Sequence, residues 1–121
     1  MSPFRARVTA ICSALPGAEV SDPWGRPEGS PGHDAWKVGG KMFACIGAVQ
    51  RGVSLKTESI ETAQMLIDTG VGTKAPYFHR SWIHLPEDVA EDELRHRLRT
   101  AYGIIRAALP KKVQATLAPL P

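Results

Sequence analysis

Basic and aromatic side chains alternate with apolar ones along two short segments, and this pattern could do chemistry. Apolar residues occupy alternate positions in Val53-Ser54-Leu55-Lys56 and in Arg80-Ser81-Trp82-Ile83-His84-Leu85. Successive side chains of a strand point to opposite faces, so the polar residues share the face opposite Leu55 and Ile83. Lysine and arginine could hold phosphates there while an aromatic ring meets a base or sugar. The candidate nucleic-acid-binding residues are Lys37, Lys41, Lys56, Arg80, Trp82 and His84.

The same residues also have a purely structural interpretation. Tryptophan is highly buried on average, so Trp82 could pack under the loop at Asp22–Gly32 or under the C-terminal tail. The lysines would then only solvate a sheet. The predicted strand from Lys41 to Val49 is apolar at nearly every position, which indicates that part of the second face is also covered. Both interpretations stay open at this stage.

Catalytic and metal-binding patterns are absent from the sequence. The four histidines, His33, His79, His84 and His96, are scattered singly, and no Gly-x-Ser-x-Gly or His-Glu-x-x-His pattern occurs. The run Val38-Gly39-Gly40-Lys41 lies between two predicted strands, which favours a hairpin turn over a phosphate loop. We therefore expect a protein that is not an enzyme and that has no catalytic residues, metal or cofactor.

Composition and charge describe an ordinary globular protein. The 121 residues are 43% hydrophobic and 22% charged, and the net charge is +3, which permits contact with an anionic partner without requiring one. We expect one domain over residues 1–121. No segment is apolar enough to span a bilayer or to act as a secretory signal, so we expect a cytoplasmic protein that does not contact membranes.

The elements that must position these residues can be predicted from periodicity. Helices are expected from Pro3 to about Leu15, over 58–69 with Thr57 as its cap, and over a long C-terminal stretch that follows a capping box at Asp88 and Glu91. Predicted strands are Ala18–Ser21, Ala35–Val38, Lys41–Val49, Val53–Lys56 and Arg80–Leu85. The fold class is α+β, with an antiparallel sheet of four to five strands backed by helices. The predicted core contains Trp36, Phe43, Leu55, Ile83, Leu98 and Tyr102.

Several motifs, in order along the chain, resemble the MmcQ/YjbR family. They are Leu15-Pro16-Gly17-Ala18-Glu19, Trp36-Lys37-Val38-Gly39-Gly40-Lys41-Met42-Phe43-Ala44, Val53-Ser54-Leu55-Lys56, Ala75-Pro76-Tyr77 with Arg80 to Ile83, and Leu109-Pro110-Lys111-Lys112. The resemblance implies a curved antiparallel sheet backed by helices, with a double-wing or frataxin-like shape, and DNA as a partner. Ala101 stands where the family usually has serine, so no role for that hydroxyl carries over.

Two further classes of function remain open. The chain could be an adaptor that binds a protein partner, or a small-molecule binding or resistance protein with a pocket near the Asp22–Gly32 loop. DNA binding through backbone contacts is the leading hypothesis, because basic and aromatic residues are expected on one surface. We expect a monomer or a weak homodimer.

Overall fold

The computed structural model describes residues 2–25, 28–48 and 51–120. In chain order the elements are α1 (Pro3–Cys12), β1 (Ala18–Ser21), β2 (Asp34–Val38), β3 (Lys41–Ile46), β4 (Val53–Lys56), α2 (Ile60–Asp68), β5 (Thr73–Lys74), β6 (Trp82–Leu85), α3 (Glu91–Ala107) and α4 (Lys111–Gln114).

The strands form one antiparallel sheet in the order β1-β2-β3-β4-β6-β5. The first four are joined as a meander, and Gly39 and Gly40 turn the chain between β2 and β3 with positive φ angles of 57° and 80°. Two consecutive left-handed residues make the tight turn that the twist of a hairpin requires, which is why glycine occurs at both positions. The predicted α+β class and the antiparallel sheet are therefore confirmed.

The hydrophobic core lies between one face of the sheet and the helices. All six predicted core residues are buried, and α3 packs across β2, β3 and β4. Ala63 and Leu66 of α2 join the same cluster. Phe43 meets Tyr102 edge-on, with ring centroids 5.6 Å apart. The predicted phase of β4, β6 and α3 is correct.

The structure corrects the ends of several elements. Helix α1 ends at Cys12 rather than Leu15, although Leu15 remains buried in the turn that follows. Helix α2 begins at Ile60 with Ser59 as its cap, because the hydroxyl of Thr57 donates to the carbonyl of Ser81 instead. The capping box at Asp88 is wrong: α3 is preceded by Ala90, which offers no side-chain cap.

The sheet has one strand more than the largest number predicted. Strand β5 is only two residues long, too short to show any alternation in the sequence. Strand β3 ends at Ile46, and the predicted continuation to Val49 runs into residues outside those described. Strand β6 begins at Trp82 rather than Arg80. Arg80 therefore lies in a turn at the edge of the sheet.

Candidate functional site

The second face of the sheet, opposite the core, carries a continuous cross-strand row of small and polar residues. The row follows the register from Ser21 through Ala35, Cys45, Ser54 and His84 to Thr73. Its four central residues are at least nine-tenths buried, because loops cover this part of the face. The apolar character of β3 had indicated such cover.

The structure brings only some of the predicted binding residues together. Lys56 and Trp82 are directly opposite each other on β4 and β6, and exposed Arg80 follows two residues before Trp82. Lys37 lies two strands away on β2, beside Glu19 of β1, and Lys41 is exposed at the hairpin between β2 and β3. The basic residues thus lie on one side of the sheet but do not converge on one point.

Trp82 is half-buried and stacks on a neighbouring aromatic ring. The rings of Trp82 and Phe78 are 4.5 Å apart and inclined by only 11°. Next to the stack, Nζ of Lys56 donates to Oγ of Ser81 at 2.5 Å, and that hydroxyl lies 2.8 Å from Nδ1 of His79. Trp82 therefore packs neither under the Asp22–Gly32 loop nor as a fully exposed ring.

His84 is buried, and both of its ring nitrogens have partners. Its Nε2 lies 2.5 Å from the carbonyl oxygen of Arg51, and its Nδ1 lies 3.0 Å from Oγ of Ser54. A carbonyl only accepts, so the proton is assigned to Nε2, and Ser54 donates its hydroxyl proton to Nδ1. His84 can therefore affect a ligand only through Ser54.

This serine–histidine pair was missed by the sequence analysis, which treated the histidines as isolated. The alternation correctly placed Ser54 and His84 on one face, but nothing in the sequence fixes the register between β4 and β6. The signal that could have found the pair is a serine and a histidine at polar positions of two strands predicted to share a sheet.

A cavity of about 420 Å³ lies over Cys45 and Ser54. Its walls come from two loops, one at Trp24 and His33 and the other at Pro76–Phe78. Trp24 and Tyr77 are exposed large aromatic residues at this site. The cavity is thus lined mainly by aromatic rings and small residues, with few charged groups.

Arg5 ties together the backbone segments that border the cavity. Its Nη2 donates to the carbonyl oxygens of Gly32 and Gly47 at 2.7 and 2.9 Å, and its Nη1 lies 3.3 Å from Oδ1 of Asp34. Arg5 is only 8% exposed, so these charge-assisted contacts are shielded from water. The loop before β2 and the segment after β3 are therefore held at fixed positions.

The His33 side of the cavity contains an incompletely paired group. Nδ1 of His33 lies 3.3 Å from Oδ1 of Asp22, close enough for an ion pair. The alignment is not that of a hydrogen bond, so within the described chain this nitrogen and both carboxylate oxygens have no hydrogen-bond partner. We treat the contact as electrostatic only. The Trp24 ring covers it, with its centroid 4.9 Å from that of His33.

Burial keeps both thiols protonated at neutral pH. Desolvation, with a further contribution from Asp34, raises the pKa of Cys45 to about 11, and burial raises the pKa of Cys12 still more. The thiols are free, and neither can act as a thiolate nucleophile under ordinary conditions.

Across residues 2–25, 28–48 and 51–120, no three His, Cys, Asp or Glu side chains gather as metal ligands. In the same residues, no helix is both long and apolar enough to cross a bilayer.

These features define an α+β protein with a six-stranded antiparallel sheet, helices on one face and a loop-walled cavity on the other. The family model described as YjbR matches residues 13–104. That match covers most of the chain, and the protein belongs to the YjbR family.

One solved structure supports the fold independently. The Deinococcus radiodurans protein DR2400, which carries a DUF419 domain, superposes with a TM-score of 0.76 over 90% of this chain and 83% of that chain. The two sequences are 19% identical, so the likeness concerns the fold alone. No curated protein gives a significant match to the sequence.

Proposed function

We propose that the protein binds DNA through the second face of its sheet, by contacts to the phosphate backbone. The observation that carries the proposal is the position of Lys56 and Arg80 beside the Phe78–Trp82 stack. Cations that neutralise phosphates next to a ring that can meet a base or sugar are the combination that nucleic-acid surfaces use. The exposed Lys41 and the half-buried Lys37 extend the basic surface toward β2.

We also propose that the protein acts by binding, without catalysis. The Ser54–His84 pair resembles a nucleophile with its base, but Ser54 is only 3% exposed. His84 is oriented by the Arg51 carbonyl rather than by a carboxylate, which would stabilise the imidazolium formed during catalysis. These contacts support a structural role, in which the pair satisfies two polar groups buried between strands.

Salt dependence of binding tests the DNA proposal. Fluorescence anisotropy of labelled duplex DNA, titrated between low and physiological salt, should show an affinity that falls as salt rises. Changing Lys37, Lys56 and Arg80 together to alanine should flatten the log–log slope by up to three contacts of about 0.9 each.

The double change of the exposed tail residues Lys111 and Lys112 to alanine is the matched control, since it also removes charge. It should alter the slope much less for each charge removed. Thermal melts on the same samples verify folding. Undetectable binding of both duplex and single-stranded DNA at low salt would overturn the proposal and favour the protein-adaptor hypothesis.

A second candidate function, binding of a small molecule, is favoured by the cavity itself. Its volume of about 420 Å³ lies within the roughly 300–1,000 Å³ of ligand sites, and it has the usual apolar lining with a few polar atoms.

A further inference from the structure

We infer that the cavity over Cys45 and Ser54 binds one unpaired nucleobase, which it holds through a ring N–H donor. The inference rests on the proposed function and deepens it, since it specifies single-stranded nucleic acid as the preferred form. A free nucleoside offers the same ring chemistry, so the experiment below includes both sources.

The walls of the cavity suit a flat ring. Trp24 and Phe78 come from opposite loops, and Tyr77 stands next to Phe78 at the rim. Base–aromatic stacking tolerates any base, because every base has a π-face. The cavity joins the proposed phosphate-binding residues directly, since Phe78 both lines it and stacks on Trp82.

Ser54 gives the floor a defined hydrogen-bonding polarity. Its only proton is directed to Nδ1 of His84, because the Nε2 proton of that ring is held by the Arg51 carbonyl. The remaining lone pairs of Oγ can then only accept. A ligand that meets Ser54 must donate, which matches the ring N–H of thymine or guanine and excludes a ring that presents acceptors alone.

The floor also favours an uncharged ring over a phosphate. Cys45, beside Ser54 in the register, is a protonated thiol, and no lysine or arginine lines the described part of the cavity. Lys56, by contrast, lies two residues beyond Ser54 on the same face, or about 7 Å along the strand. A base inside the cavity and its phosphate at Lys56 would thus each meet suitable groups.

The cavity is built before any ligand arrives. Arg5 fixes the Gly32 and Gly47 carbonyls, and Cys45 and Ser54 belong to paired strands. Tyr77 has a φ of +70°, a left-handed conformation that costs a non-glycine residue roughly 1–2 kcal/mol, and its side chain is fully exposed. Strain of this kind gathers at ligand-binding sites, and here it holds a bare aromatic ring at the cavity rim.

The test compares strands that differ only in their bases. The full-length protein is titrated with a labelled 12-residue thymidine strand, the same backbone made abasic, a strand of N3-methylthymidine, and a duplex. The thymidine strand should bind about 5- to 100-fold more tightly than the abasic strand, the range expected for a stacked base. N3-methylation removes the ring donor and should lower affinity about tenfold.

Protein variants test the walls. Trp24→Ala removes a half-exposed ring and should weaken binding of the thymidine strand to near that of the abasic strand, with an unchanged salt slope. Val20→Ala, which truncates another exposed residue outside the cavity, is the matched control and should have no effect. Because the ligand changes leave the protein intact, a folding defect in Trp24→Ala would not obscure the result.

The outcomes separate the two proposals. Equal, salt-dependent binding of thymidine, abasic and methylated strands would overturn the base site and leave DNA binding in place. Binding of free thymidine, lost in Trp24→Ala, without binding of any strand would overturn DNA binding and keep the cavity as a nucleoside site. Binding of neither nucleoside nor strand would overturn both.

Discussion

Ser54 and His84 lie directly opposite each other on β4 and β6, and the serine Oγ is 3.0 Å from the histidine Nδ1. The pair lies under the cavity and on the face opposite the core. Two polar groups are therefore buried together, each satisfying the other. This contact links the stability of the sheet to the chemistry of the cavity floor.

Ser54→Ala should destabilise the protein by about 1–3 kcal/mol, because it leaves Nδ1 of His84 buried without a partner. Ser21→Ala is the matched control, since Ser21 ends the same cross-strand row but is exposed on the edge strand. That change should cost less than about 0.5 kcal/mol. Urea unfolding measures both, and equal losses would show that the hydrogen bond contributes nothing.

Gly52→Ala should disrupt the Arg51–His84 contact. Gly52 has a φ of +91°, and an added Cβ would lie 2.1 Å from the carbonyl oxygen of Leu85 and 2.7 Å from Nε2 of His84. Gly70→Ala is the control, because Gly70 has a similar φ of +83° and open space around it. The control should cost roughly 1–2 kcal/mol from the backbone alone, and Gly52→Ala clearly more. Similar losses in thermal melts would contradict the predicted clash.

The core could be predicted from the sequence because it depends on periodicity alone. Leu55 and Ile83 alternate with polar neighbours, and the helical spacing of Leu98 and Tyr102 identifies the buried side of α3. The cavity could not be predicted, because it depends on long-range contacts. Arg5 holds Gly47, which is 42 positions away, and no local pattern records that pairing.

Leu98→Ala and Ile83→Ala should each cost about 2–5 kcal/mol, since both side chains are completely buried in the cluster between α3 and the sheet. Met65→Ala, at a residue 52% exposed on α2, is the comparison. It should change the free energy of unfolding by less than about 0.5 kcal/mol. Losses that small at both core positions would contradict the packing described here.

Arg5→Met should destabilise the protein by about 3 kcal/mol, because Asp34 loses its buried partner and two carbonyls lose charged donors. It should also speed amide hydrogen exchange around residues 32–34 and 47–48. Arg95→Met removes an exposed ion pair with Glu91 and should cost less than about 1 kcal/mol. Unchanged exchange in Arg5→Met would show that the loops hold their positions without it.

Cys45 should make the protein less stable as the solution becomes alkaline. Burial, with the nearby Asp34 carboxylate, raises the pKa of the folded thiol from 9.0 to about 11, whereas the unfolded thiol ionises near 9. Between these values the unfolded state releases a proton that the folded state keeps, so the stabilisation is complete below pH 9 and is lost as pH rises toward 11. The loss can reach at most about 1.4 kcal/mol per pH unit. Other groups also titrate in this range, so the measured quantity is the stability of the wild type minus that of Cys45→Ala, from urea unfolding at several pH values. This difference should be constant from pH 7 to 8.5 and should then fall. Parallel curves up to pH 11 would show that the thiol ionises alike in both states and that the cavity floor is more open to water than its burial indicates.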